Sequence, residues 1–136
     1  MGTELNRASE LYKAFELNRE SLQLTHEKTA KAAKVVINIL EFWKLKNSTI
    51  YCLFEEELSK YEQSSEYEFS DEFVFVTSLL LGIYADLRKL FLQDVHHLEW
   101  MSSPNNSLES QLPLVIISNA DIRNIESLRL LLRSKI

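Results

Sequence analysis

Leu5, Ala8, Tyr12, Phe15, Leu22, Val36, Leu40 and Trp43 fall on the a and d positions of one seven-residue register, and neither Gly nor Pro interrupts residues 3–46. This pattern constrains the fold more than any other feature, because an apolar helical seam needs a partner along its length. The other a and d positions, Arg19, His26, Thr29 and Ala33, make the middle of the seam polar or small. A long first helix is therefore expected over about 3–46, with Thr3 as its N-cap and Asn47-Ser48-Thr49 ending it. Residues 19–29 are where it either faces water or bends.

The whole chain of 136 residues contains two Gly and two Pro, far below the usual shares of about 7% and 5%. Few sharp turns are possible with that composition, which favours helices over many short strands. A second helix is expected over about 49–63, where Ile50, Leu53, Phe54, Leu58 and Tyr61 share a face. Residues 73–85 contain only Thr77, Ser78 and Gly82 as non-apolar positions. Thirteen residues do not reach the roughly 20 that span a bilayer, so this run reads as the centre of a buried helix over about 71–100. Gly82 inside it suggests a close helix–helix crossing. Ser102-Ser103-Pro104-Asn105-Asn106-Ser107 reads as a loop over 102–107. A C-terminal helical segment over about 112–135 follows. Within it, 112–117 is ambiguous between helix and strand, and helix is favoured because a strand would lack a partner. The expected fold is all-α: a single bundle of four to five helices with one long N-terminal helix.

A net charge of −5 gives no concentrated basic face for phosphate contacts, so nucleic acid is not an expected partner. One cysteine, Cys52, forms no intramolecular disulfide and reads as a buried small side chain. The first residues lack the apolar core of a secretory signal, and no membrane association is expected. A cytoplasmic setting follows.

Metal chemistry in a helical bundle asks for Glu-x-x-His pairs. The residues three before His26, His96 and His97 are Gln23, Gln93 and Asp94. No metal and no cofactor is expected. Cys52 has no cationic neighbour in the sequence to activate it. Arg88 and His96 resemble the Arg/His set of the HEPN-type helical ribonucleases, which separate the two residues by four to six others. Seven intervene here, but on a straight helix the pair would lie two turns apart and about 80° around. That resemblance implies, as the alternative function, a metal-free ribonuclease with Arg88 and His96 as its catalytic pair.

The main expectation is a non-enzymatic protein–protein interaction module, such as an adaptor, an inhibitor or immunity-type protein, or a small subunit of an assembly. Two surfaces serve it. A straight first helix would overhang the core, leaving Leu5, Tyr12 and Phe15 as an interface for a second copy, a homodimer with coiled-coil character. Glu55, Glu56, Glu57, Glu62, Glu66 and Glu68 form an acidic end suited to docking a basic protein partner.

Overall fold

The computed structural model describes residues 26–64 and 66–136. The upstream part of the seam, with Leu5, Tyr12 and Phe15, lies outside them. Among the described residues the chain is helical, without a strand: α1 His26–Phe42, α2 Thr49–Gln63, α3 Asp71–Leu90, α4 Asp94–Met101, α5 Pro113–Ser118 and α6 Ile122–Arg133, with a 3-10 turn at Asn106–Leu108.

α3 is the centre. It packs against α1 on one side, against α6 on another, and against α4 beyond its end, while α2 rests on α1. The described part of the heptad seam is consumed here. Thr29, Ala33, Val36, Leu40 and Trp43 are all buried, so the chain's own core supplies the partner that an apolar seam requires.

The first helix does not run on to Lys46. It stops at Phe42, where Lys44 turns left-handed at φ 63°. Leu45 N–H donates back to the Leu40 carbonyl, and Lys44 N–H to that of Glu41. These are the two bonds of a Schellman cap, normally built on Gly. Scarcity of Gly hid this turn in the sequence, because Lys occupies the position. Asn47, Glu109, Ser110 and Ala120 also take positive φ, so turns that usually fall to Gly are made by other residues.

Serines start the next helices. Ser48 Oγ accepts the Tyr51 N–H at 3.3 Å and Ser70 Oγ accepts the Phe73 N–H at 3.1 Å. Asp121 does the same for α6, accepting from Arg123 and Asn124 N–H. Each satisfies helix donors that have no partner within their own helix.

The helix expected over 71–100 is two helices. A straight run of that length would span about 45 Å. The chain instead breaks at Phe91, whose backbone is extended (φ −127°, ψ 113°). α4 then folds back far enough for Phe91 and Trp100 to approach at 6.4 Å between ring centroids. Leu112 to Ile117 is not a strand: α5 begins with Pro113 in its first turn, where a missing N–H costs nothing. Gly82 faces α6, which packs on α3, and leaves room for one of its side chains. A Cβ there would collide with the Arg129 guanidinium on its way to Asp86.

Candidate functional site

The acidic end comes from α2 and the segment leading into α3. Glu55, Glu56, Glu62, Glu66 and Glu68 are exposed. Glu57 is not: it is buried, its Oε2 accepts the Tyr67 hydroxyl at 2.5 Å, and it lies 3.7 Å from Lys60 Nζ. Glu57 therefore holds the segment after α2 in place and does not belong to the accessible acidic surface. The bond pushes the Tyr67 hydroxyl up to about 12, because ionising it would place two negative charges together. Tyr51 is pushed up to about 12 in the same way by its bond to Glu41 at 2.7 Å. Neither tyrosine is available as a base near neutral pH. Lys60 also reaches Glu56 at 3.4 Å. Among the described residues Glu55, Glu62, Glu66, Glu68 and Glu72 have no salt bridge.

Beside this face lies a groove of about 120 Å³, lined by Leu53, Phe73, Val76, Ala120 and Ile122 with Glu57, Ser70 and Glu72. Its apolar floor is accessible: Leu53, placed by the sequence on the core face of α2, is 36% exposed. The turn between α5 and α6 closes the far wall, because Ala120 (φ 59°) brings Ile122 back over Val76 and Phe73. Cys52, expected to be buried, is exposed. The helical rotation that carries Tyr51 and Phe54 into the core turns it outward.

Arg88 and His96 stand on different helices, α3 and α4, with the break between them. The two-turn, one-groove geometry needed a continuous helix, and the chain does not have one there. Both are exposed, and Arg88 is engaged in an ion pair with Asp94 across the break. The buried histidine is the neighbour, His97. Its Nε2 accepts the Trp43 indole N–H at 2.8 Å, and its ring stands edge-on to Phe42 at 5.2 Å and tilted to Tyr84 at 5.6 Å. Nδ1 is buried without a partner. Nothing in the doublet His96-His97 says which ring turns inward.

Two further buried charged groups are Asp86 on α3 and Glu126 on α6. Asp86 is bonded by Arg129 and lies 3.6 Å from Arg133. This is a buried carboxylate held by two guanidinium groups. Glu126 is 5% exposed with Oε2 unpartnered, and burial raises its carboxyl to about 7 despite the opposing charge of Arg123. Two of the basic residues of the last helix, Arg129 and Arg133, are therefore directed at Asp86.

Among the described residues no group of three or more His, Cys, Asp or Glu is arranged to hold a metal ion, and no helix is long and apolar enough to cross a membrane. No family model, no curated protein and no solved structure matches this chain.

Proposed function

We propose that the chain is a helical binding module working in the cytoplasm, that its docking surface is the α2–α3 groove with its acidic surround, and that it pairs with a second copy through Leu5, Tyr12 and Phe15. The observation that carries this reading is a groove whose apolar lining is exposed at Leu53 and whose lining also holds Glu72, an exposed carboxylate without a salt bridge among the described residues. Unneutralised charge steers a basic partner in and the apolar floor retains it, a division of labour common to protein interfaces. The partner class is a segment presenting Lys or Arg around one or two large apolar side chains, as an amphipathic helix would. An adaptor, an inhibitor or a small subunit each fits that behaviour.

The experiment is an NMR titration of the labelled protein with two synthetic amphipathic helical peptides, one Leu/Lys and one Leu/Glu. The Leu/Lys peptide should shift the resonances of Leu53, Phe73, Val76 and Ile122, and its binding should weaken steeply between 0.05 and 0.5 M salt as exposed charges are screened over about 10 Å or less. The Leu/Glu peptide should not bind. Leu53→Arg, at a partly exposed position, should abolish the shifts without unfolding the chain. Shifts scattered over the surface, or binding indifferent to salt and to Leu53→Arg, would refute the docking surface.

A further inference from the structure

The indole N–H of Trp43 can only donate, so the His97 Nε2 that accepts it carries no proton. A neutral imidazole with a bare Nε2 holds its hydrogen on Nδ1, and that atom is sealed from water without a partner. A second proton has one place to go, Nε2. There it would face the indole hydrogen head-on, donor against donor, and put a charge inside a ring of Phe42, Trp43 and Tyr84.

The surroundings do not relieve that charge. From α3 the group near His97 is Arg88, which repels a proton. From its own helix Asp94 attracts one but is already paired with Arg88. The end of α1 presents Phe42 and Trp43. α5, which also packs on α4, carries no charged side chain.

What can yield is α4. It has eight residues, of which only His97 and Met101 are buried, and Gln93 gives its N-terminus no side-chain cap. Leu92 in its approach and Val95 on its outer face are apolar yet 90% and 61% exposed. An element with so few buried anchors opens at far lower cost than the core.

We propose that His97 is a proton-operated latch: protonation of its imidazole releases α4 from the face formed by Phe42, Trp43 and Tyr84 while α1, α2, α3 and α6 stay assembled. Burial first, and Arg88 second, hold the imidazole below its ordinary value of 6.5. The folded state thus binds fewer protons than the open one. The latch is fully closed above about 6.5 and loosens as pH falls from there toward the value in the closed state. Opening uncovers an aromatic surface at the far end of α3 from the acidic groove, so this inference is independent of the docking proposal.

The chain has two tryptophans, and Trp100→Phe leaves Trp43 as sole reporter. As pH falls below 6.5, its emission maximum should move toward that of a solvent-exposed indole, while far-UV circular dichroism loses no more than the signal of α4. The imidazole resonance of His97 in the wild-type chain should titrate over the same pH range. His97→Gln, which offers Trp43 an amide oxygen and no titration, should remove the transition. His26 accepts the Phe69 N–H at 3.2 Å, but Trp43 is remote from that contact in the chain and reports on His97. Titration of His97 with Trp43 emission unchanged would overturn the latch, as would simultaneous loss of all helical signal, or an unchanged midpoint in His97→Gln. The first two readouts use a wild-type His97 and stand even where His97→Gln does not fold.

Discussion

Glu126→Gln isolates the energetic effect of one buried carboxyl. Glu126 is 5% exposed, its Oε2 has no hydrogen-bond partner, and burial raises it from 4.5 to about 7. The folded chain therefore holds a proton on this group that the unfolded chain has already released. The contribution to stability is complete below about 4.5 and is lost as pH rises through about 7. At about 1.4 kcal/mol per pH unit, the window from pH 5 to pH 8 captures about 2–3 kcal/mol of that loss. Glutamine has nearly the same shape and does not titrate. Urea denaturation at 25 °C should thus place the variant near the wild type at pH 5 and about 2 kcal/mol above it at pH 8. His97 tilts the wild-type profile the opposite way at acid pH, but it is common to both chains and cancels in the difference. Parallel profiles, with the same gap at pH 5 and pH 8, would show that the carboxyl finds water or a cation and that its isolation is not real.

Lys44→Gly should stabilise the chain by about 0.5–1 kcal/mol, because a side chain at φ 63° is strained where Gly is not; thermal unfolding checks it, and a lower midpoint would mean that the Lys44 side chain contributes more than its backbone costs. Gly82→Ala should destabilise by about 1–3 kcal/mol, against the gain of about 1 kcal/mol that helix propensity alone promises, because the new methyl displaces Arg129 from buried Asp86. Pairing it with Arg129→Met should recover little, since Asp86 then keeps only Arg133, and full recovery in denaturant unfolding would refute that account. Light scattering at micromolar concentration should give twice the chain mass of 15.9 kDa, and Phe15→Asp should halve it; a monomer throughout, or a dimer unaffected by Phe15→Asp, would end the self-association proposal.

The helical class was legible from the chain alone. Long stretches without Gly or Pro, a 3.5-residue apolar period and serines placed before apolar runs are local signals, and local hydrogen bonding is what makes a helix. The buried face at Ala33, Val36, Leu40 and Trp43 followed from the same period. Where helices stop was not legible in the same way. The cap at Lys44 and the break at Phe91 occur at residues with no intrinsic tendency to turn. The candidate sites depended still more on packing. The sequence shows three consecutive glutamates but not that Glu57 turns inward to Tyr67, and two consecutive histidines but not that His97 meets Trp43, 54 residues away. It shows Gly82 but not the guanidinium passing over it, and Glu126 but not that it is buried. Periodicity depends on neighbours a few bonds away and can be read from one chain segment. The burial of a charge depends on which distant segment closes over it, and that is decided only when α3, α4 and α6 come together.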